Sequence, residues 1–325
     1  GEQLLGSEGV CPVMKRRAAP LPLAEPGMAG GLLVVLALGH AAVAAGTRLA
    51  RNASTAAALR GHPGGPVADL PRGAGRRTAA ANDTLGGLRP PAVHLAARLG
   101  QERKAGAPCA CEPHSSSWVR CQRTVPKCVW IDLGAADGNT LKAFLNNQYG
   151  PVGNCPSAAW EAMLVEANPR FNAPLQEMAS RWPGMVHLFE STAAYMCPAQ
   201  TSFYLDTVTS DHNYWGSSLS ANAVDVRNSG LQKVTVPMVN LMQVLYENTI
   251  PADWVMVKMD IEGAEWDILP CLALSPTAPL VDRLYVEFHN QSMGLVGTDQ
   301  ATMDAAQQML RLRGVDIPSY FSNTL

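Results

Sequence analysis

The run Val129-Trp130-Ile131-Asp132-Leu133-Gly134-Ala135-Ala136-Asp137-Gly138 decides the fold. Its first half is nearly all apolar, as a strand buried on both faces must be, and it ends in an acid and a glycine turn. Residues 140–147 then read as a helix. Outward from this point the same alternation recurs: residues 163–166, 186–189, 254–259 and 284–288 read as strands, and 174–181, 264–274 and 301–312 as helices. Residues 202–207 and 233–236 read as an additional strand pair flanking a Ser/Asn-rich loop that contains Trp215-Gly216-Ser217-Ser218. Alternation at this spacing predicts an α/β fold, a doubly wound, Rossmann-like, mostly parallel sheet. In such sheets ligands bind beyond the carboxyl ends of the strands.

The residues at those ends point to a ligand class. A dinucleotide fingerprint would need G-x-G-x-x-G, so that backbone amides can approach a pyrophosphate. Here Gly134 and Gly138 are separated by three residues and flanked by Asp132 and Asp137, which disfavours a hydride-transfer enzyme. Those carboxylates would repel a phosphate but suit a ligand bearing an amino group and a sulfonium cation. The second strand ends in Glu166, placed to accept both ribose hydroxyls of a nucleoside. Each residue also has a plainer reading, Asp132 as a cap on the next helix and Glu166 as a solvated acid.

The chain divides near residue 117. All 20 aromatic residues lie at or beyond Trp118, and the preceding 117 residues, rich in Ala, Gly, Pro and Arg, lack the aromatic side chains on which packed cores depend. Charge splits at the same place, with 13 Lys+Arg against 7 Asp+Glu before Trp118 and 12 against 20 from there on. A basic tail therefore precedes an acidic domain, and the domain lacks the basic stripe of a nucleic-acid binder. Residues 1–27 form a leader, and 28–47 read as a signal peptide or single-pass signal anchor, with Lys15, Arg16 and Arg17 upstream of a charge-free apolar run. Residues 48–117 read as a disordered stalk or linker, and 118–325 as the folded domain. The secretory pathway is expected ahead of organelle import or the cytoplasm. In its lumen Asn52, Asn82 and Asn290 would be glycosylation acceptors.

Eight cysteines follow the same division. Cys109, Cys111, Cys121 and Cys128 cluster at the mouth of the domain, where two disulfides could staple stalk to core in any of three connectivities. Zinc is the alternative, although the C-x-C spacing and the gaps that follow match no standard knuckle. Cys155, Cys197 and Cys271 read as buried thiols.

Asp132-Leu133-Gly134-Ala135 with Gly138, Glu166-Ala167-Asn168-Pro169, Lys258-Met259-Asp260-Ile261-Glu262-Gly263-Ala264-Glu265 and the late strand ending in Glu287 resemble the FkbM-type S-adenosylmethionine-dependent methyltransferases. The resemblance spans residues 126–314, and 258–265 is its most specific stretch. It implies a class I methyltransferase fold with a seven-stranded sheet, S-adenosyl-L-methionine as donor, and an O-methyltransferase acting on a hydroxyl of a small molecule, sugar or glycan. Little chain follows Gly314 for the two strands that would close such a sheet.

By the same resemblance Asp132, Gly134, Ala135 and Gly138 would hold the amino-acid end of the donor. Glu166 and Asn168 would hold its ribose, and Glu190 with Ser191 would face its adenine. Asp260 would orient or deprotonate the acceptor, with Lys258, Glu262 and His289 tuning it. The plainer readings are a strand lysine paired with Glu287 for Lys258, and a helix-start charge for Glu265. No resident metal is assigned, although Asp260, Glu287 and His289 could together hold a divalent ion. The Trp215 loop is either a lid over the acceptor or a surface turn. The rival functions are a lumenal glycosyltransferase, whose D-x-D pair would be Asp260-Ile261-Glu262, and a non-catalytic binding module.

Overall fold

The computed structural model describes Cys11, residues 107–149 and residues 160–320. The leader, the apolar segment at 28–47, most of the stalk, and Asn52 and Asn82 lie outside the described residues. Among the described residues no helix is long and apolar enough to cross a membrane.

The first strand is β1 (Cys128–Leu133), followed by α1 (Asn139–Leu145), β2 (Trp160–Val165), α2 (Asn172–Ser180) and β3 (Val186–Phe189). Then come β4 (Ala193–Tyr195), β5 (Ala199–Tyr204), α3 (Val224–Asn228), β6 (Lys233–Asn240), α4 (Leu241–Asn248) and β7 (Trp254–Met259). The chain closes with α5 (Glu265–Leu274), β8 (Arg283–Val286) and α6 (Gln300–Leu312). Among these elements the strands form a five-stranded sheet ordered β3-β2-β1-β7-β8, parallel throughout, and a three-stranded sheet ordered β4-β6-β5. The doubly wound α/β expectation is met. Among the described residues the parallel sheet has five strands where seven were implied: β5 and β6 pair antiparallel in the separate sheet, and beyond α6 the bridge of Asp316 with Arg283 extends the edge of β8.

All six residues of β1 are buried, which explains why the run reads as continuously apolar. Alternation still sorts them. Val129, Ile131 and Leu133 pack with Met163, Val165, Val255, Val257 and Met259 on one face of the sheet, against α4, α5 and α6. Trp130 packs with Leu164 and Met256 on the other, against Leu141 and Phe144 of α1 and Leu175 of α2. With a period of two, one strand feeds two cores.

The strand order reverses between β1 and β7, because the chain first builds outward through β2 and β3 and then returns to β1's other side. That reversal opens a crevice at the carboxyl ends of the two strands. Register aligns its walls, with Asp132 opposite Leu164 on one side and Lys258 on the other.

Residues 107–117, assigned above to the stalk, are bound to the domain. The Glu112 N–H donates to the Met196 carbonyl at 3.0 Å, Asn240 Nδ2 donates to the Glu112 carbonyl at 2.9 Å, and Ser275 Oγ donates to the Pro113 carbonyl at 2.6 Å. The disulfides differ from the expected local staples as well. Cys109 pairs with Cys197, Cys111 with Cys271, and Cys121 with Cys11, while Cys128 is also disulfide-bonded. Cys197 and Cys271 are therefore bridge partners rather than buried thiols. The bridges reach elements distant in sequence because this segment lies across the α4–α5 face of the sheet.

Candidate active site

The crevice deepens into a cavity of about 550 Å³, a volume suited to a small-molecule ligand. Its floor comes from the turn after β1. Gly134 holds φ at +81°, and a Cβ there would run into the backbone carbonyl of Asp260, so only glycine lets the β1 and β7 turns approach. Gly263 serves the same purpose in the β7 turn, with φ at +109° and Met293 packed against its missing side chain.

Glu166, at the end of β2, lines the cavity and is nearly fully buried. Its Oε2 accepts the Ala136 N–H at 2.8 Å and its Oε1 accepts the Asn168 N–H at 2.7 Å, so it ties the first turn to the second. A carboxylate has about four acceptor sites, which leaves capacity on each oxygen toward the cavity. Burial pushes its pKa up to about 7 despite those two amides and nearby Lys258.

Lys258 on β7 is buried, with Nζ 3.4 Å from Asp260 Oδ2 and 3.5 Å from Asp132 Oδ1, and it donates to the Gly134 carbonyl at 2.7 Å. Burial opposes its charge, but Asp260 and Asp132 outweigh it and hold the pKa above the ordinary lysine value. The ammonium therefore clamps the β1 turn to the β7 turn. Its salt-bridge partners are these two aspartates, where the sequence offered Glu287; Glu287 lines the same cavity.

His289, three residues past β8, is the centre of the acidic end. Its Nδ1 lies 3.0 Å from Glu265 Oε1, and its Nε2 lies 3.3 Å from Glu262 Oε1 and 3.7 Å from Asp260 Oδ1. Burial works against the imidazolium, but Glu262 and Glu265 prevail and raise its pKa to about 11. Burial in turn pushes the Glu262 carboxyl up against the pull of His289. Asp260, Glu262 and His289 each place one ligand atom within 4.8 Å of the others, close enough for a single cation. Glu262 takes the place in that set that the sequence assigned to Glu287. A cation there and an imidazolium at His289 would compete for the same two carboxylates.

Several expected residues lie elsewhere. Asp132 is fully buried behind the cavity wall, where Thr140 Oγ1 donates to it and Lys258 pairs with it, so it shapes the turn from behind. Burial raises its pKa against those partners. Ala135 is buried, and its N–H donates to the Val165 carbonyl at 3.1 Å. Gly138 starts α1 with φ at +79° and faces Met178. Past β3 the wall is made by Thr192, Ala193 and Ala194 rather than by Glu190 and Ser191; Ser191 Oγ instead accepts from Asn172 Nδ2 at 2.9 Å. Gly134, Glu166, Asn168, Lys258, Asp260, Glu262 and His289 all line the cavity.

One contributor, Glu265, was read otherwise, and the Trp215 loop was left between two readings. Glu265 is fully buried and accepts three hydrogen bonds: from the Gly263 N–H at 3.0 Å, from the His289 N–H at 2.8 Å and from His289 Nδ1. Its position at a helix start signalled only a favourable charge. The Trp215 loop is fastened just past Trp215: Asn168 Nδ2 donates to Ser217 Oγ at 3.1 Å, and Ser218 Oγ donates to the Glu262 carbonyl at 2.6 Å. Trp215 remains 42% exposed while lining the cavity, so the loop is a wall rather than an incidental turn.

A cavity at the switch point, a lining richer in carboxylates than in cations, and a β1 turn whose Ala136 amide is already taken by Glu166 all disfavour a phosphate-bearing ligand. No curated protein and no solved structure matches the chain. The sequence profile of the methyltransferase FkbM domain matches residues 92–313, which contain every residue of this site and most of the chain. The glycosyltransferase reading gives way to that match, and the chain belongs to the FkbM methyltransferase family.

Proposed function

We propose that this methyltransferase takes S-adenosylmethionine as donor and transfers its methyl group to a hydroxyl oxygen, with a sugar or glycan as the acceptor class. The carrying observation is that Glu166 and the Asp260, Glu262 and His289 group line one and the same cavity. The lining fits the donor: Glu166 is a buried carboxylate with acceptor capacity for a ribose diol, and the acidic balance favours a ligand carrying ammonium and sulfonium charge. Bound there, the donor supplies an electrophilic methyl carbon on sulfur.

Methyl transfer to oxygen is an in-line displacement, so the chain's work is alignment and proton removal. Gly134 and Asn168 shape the donor end, and Glu166 orients the ribose. Asp260 accepts the hydrogen of the acceptor hydroxyl and fixes that oxygen's direction. Lys258 holds Asp260 in place from below, and His289 holds it from the side. Glu265 positions His289 through Nδ1. Trp215 offers a flat apolar face at the cavity wall, which suits the apolar face of a sugar ring.

The secretory lumen is the compartment proposed. Its support is the set of long-range disulfides, which persist in oxidising compartments and are rare in the cytosol.

Calorimetric titration with S-adenosylhomocysteine tests the donor. Micromolar binding that is lost in Glu166→Ala, with the fold intact, is expected. A well-folded wild-type protein that binds none would sink the donor assignment. For the acceptor, Asp260→Ala should abolish methyl transfer while retaining donor affinity, and normal activity in that variant would remove its role.

A further inference from the structure

We propose that Asn290, on the loop that follows β8, carries an N-linked glycan. The inference rests on the lumenal location proposed above and is independent of donor and acceptor. Asn290-Gln291-Ser292 is an acceptor triplet without proline at its centre. Triplets of this kind are common by chance, and what separates a usable one is accessibility on the folded surface. Asn290, Gln291 and Ser292 are all exposed, on the loop that follows β8.

The geometry presents the reacting atom. Asn290 Oδ1 accepts the Ser292 N–H at 2.9 Å, which turns the carboxamide oxygen toward the chain and leaves Nδ2 on its opposite side. The loop is anchored around that amide: Trp266 Nε1 donates to the His289 carbonyl at 2.9 Å, and Asn222 Nδ2 donates to the Ser292 carbonyl at 3.1 Å. A shallow surface groove formed with Asn222, Val224, Arg227 and Met293 adjoins Asn290, and Val224 leaves 60% of its surface uncovered. A glycan on Asn290 would cover this groove.

The modification is a group transfer from a lipid-linked oligosaccharyl diphosphate, the co-reactant of a lumenal oligosaccharyltransferase. The Asn290 Nδ2–C bond forms at the first sugar's anomeric carbon as its C–O bond to the diphosphate breaks. The lipid diphosphate departs with that electron pair, and the amide proton passes to a base. Because Asn290 follows His289 directly, the glycan stands about one residue, roughly 4 Å of chain, from a cavity-lining side chain.

The test is expression of the full chain in a secretory eukaryotic cell, with Asn52 and Asn82 changed to Gln so that only Asn290 can respond. Treatment with peptide-N-glycosidase should convert Asn290 to Asp in the mapped peptide and increase gel mobility. Ser292→Ala should abolish both signals and Ser292→Thr should retain them. Protease protection in sealed microsomes separates the two readings. A protected, disulfide-bonded protein with unmodified Asn290 overturns the glycan alone, whereas an unprotected protein overturns the location and the glycan with it.

Discussion

Glu166 sits in a nearly water-free position with two backbone amides on its oxygens, and with its pKa pushed up to about 7 the proposed donor binding is expected to depend on pH. The binding-competent form is the carboxylate, since only it can accept from both ribose hydroxyls while keeping the Ala136 and Asn168 amides. Above pH 7 that form is already present. Below it a proton must be removed before the ligand binds, so the dissociation constant for S-adenosylhomocysteine should rise about tenfold per pH unit. Calorimetry from pH 5 to 8 checks this, and Glu166→Gln should bind more weakly with a flat profile. Glu265 acts through His289: its Gln variant can no longer accept all three donors, and one amide N–H would face another. Misplaced by a fraction of an ångström, His289 should cost roughly ten- to a hundredfold in kcat at unchanged affinity for S-adenosylhomocysteine. Loss of fold, or a change in that affinity alone, would contradict the positioning role. The imidazolium also bears on metal use. With His289 raised to about 11 by Glu262 and Glu265, it already supplies positive charge to the site where a cation would sit, so full methyl-transfer activity is expected in excess chelator. Activity lost to chelator and restored by a divalent ion would reassign Asp260, Glu262 and His289 as ligands.

Elements meet at this site through their turns. The β1 turn and the β7 turn touch at one place, where Gly134 faces the Asp260 carbonyl and Lys258 bonds the Gly134 carbonyl. Gly134→Ala brings a Cβ against backbone, which cannot swing aside as a side chain would, and adds the cost of a left-handed φ, about 1–2 kcal/mol on its own. The variant should lose donor binding, and its melting temperature should fall by roughly 5–10 °C, measured by differential scanning calorimetry. Gly138→Ala is expected to be milder. Its φ is equally left-handed, but the atoms in its way belong to the Met178 side chain, which can move.

At the scale of the molecule, the segment at 107–128 is sewn across a face of the sheet. Cys111 and Cys271 are separated by 160 residues, so their bridge removes a large amount of freedom from the unfolded chain. The Cys111→Ser, Cys271→Ser double variant should lose about 2–4 kcal/mol in denaturant unfolding, and reductant should destabilise the wild-type protein by at least as much. An unchanged midpoint under reducing conditions would show that the bridges are dispensable. The sequence carried the parallel architecture, because a strand buried on both faces must be apolar at nearly every position, and the run at 129–133 can hardly be read otherwise. It also carried the strand-end acids Glu166 and Asp260, because the carboxyl end of a strand is a local landmark. Three matters were nonlocal and belonged to the tertiary structure. The sequence offered residues 202–207 and 233–236 as a strand pair, but that β4 joins β6 in a sheet separate from the parallel one was not legible in any single strand. Three bridges among the described residues join partners 88 to 160 residues apart, because spacing along a chain does not reveal which faces meet. Of the acids around the β1 and β7 turns, Asp132 turns behind the wall while Glu265 reaches His289. Chain order determined which residues stand at the strand ends; which of those side chains face the cavity was decided only when β1, β7 and β8 were set side by side.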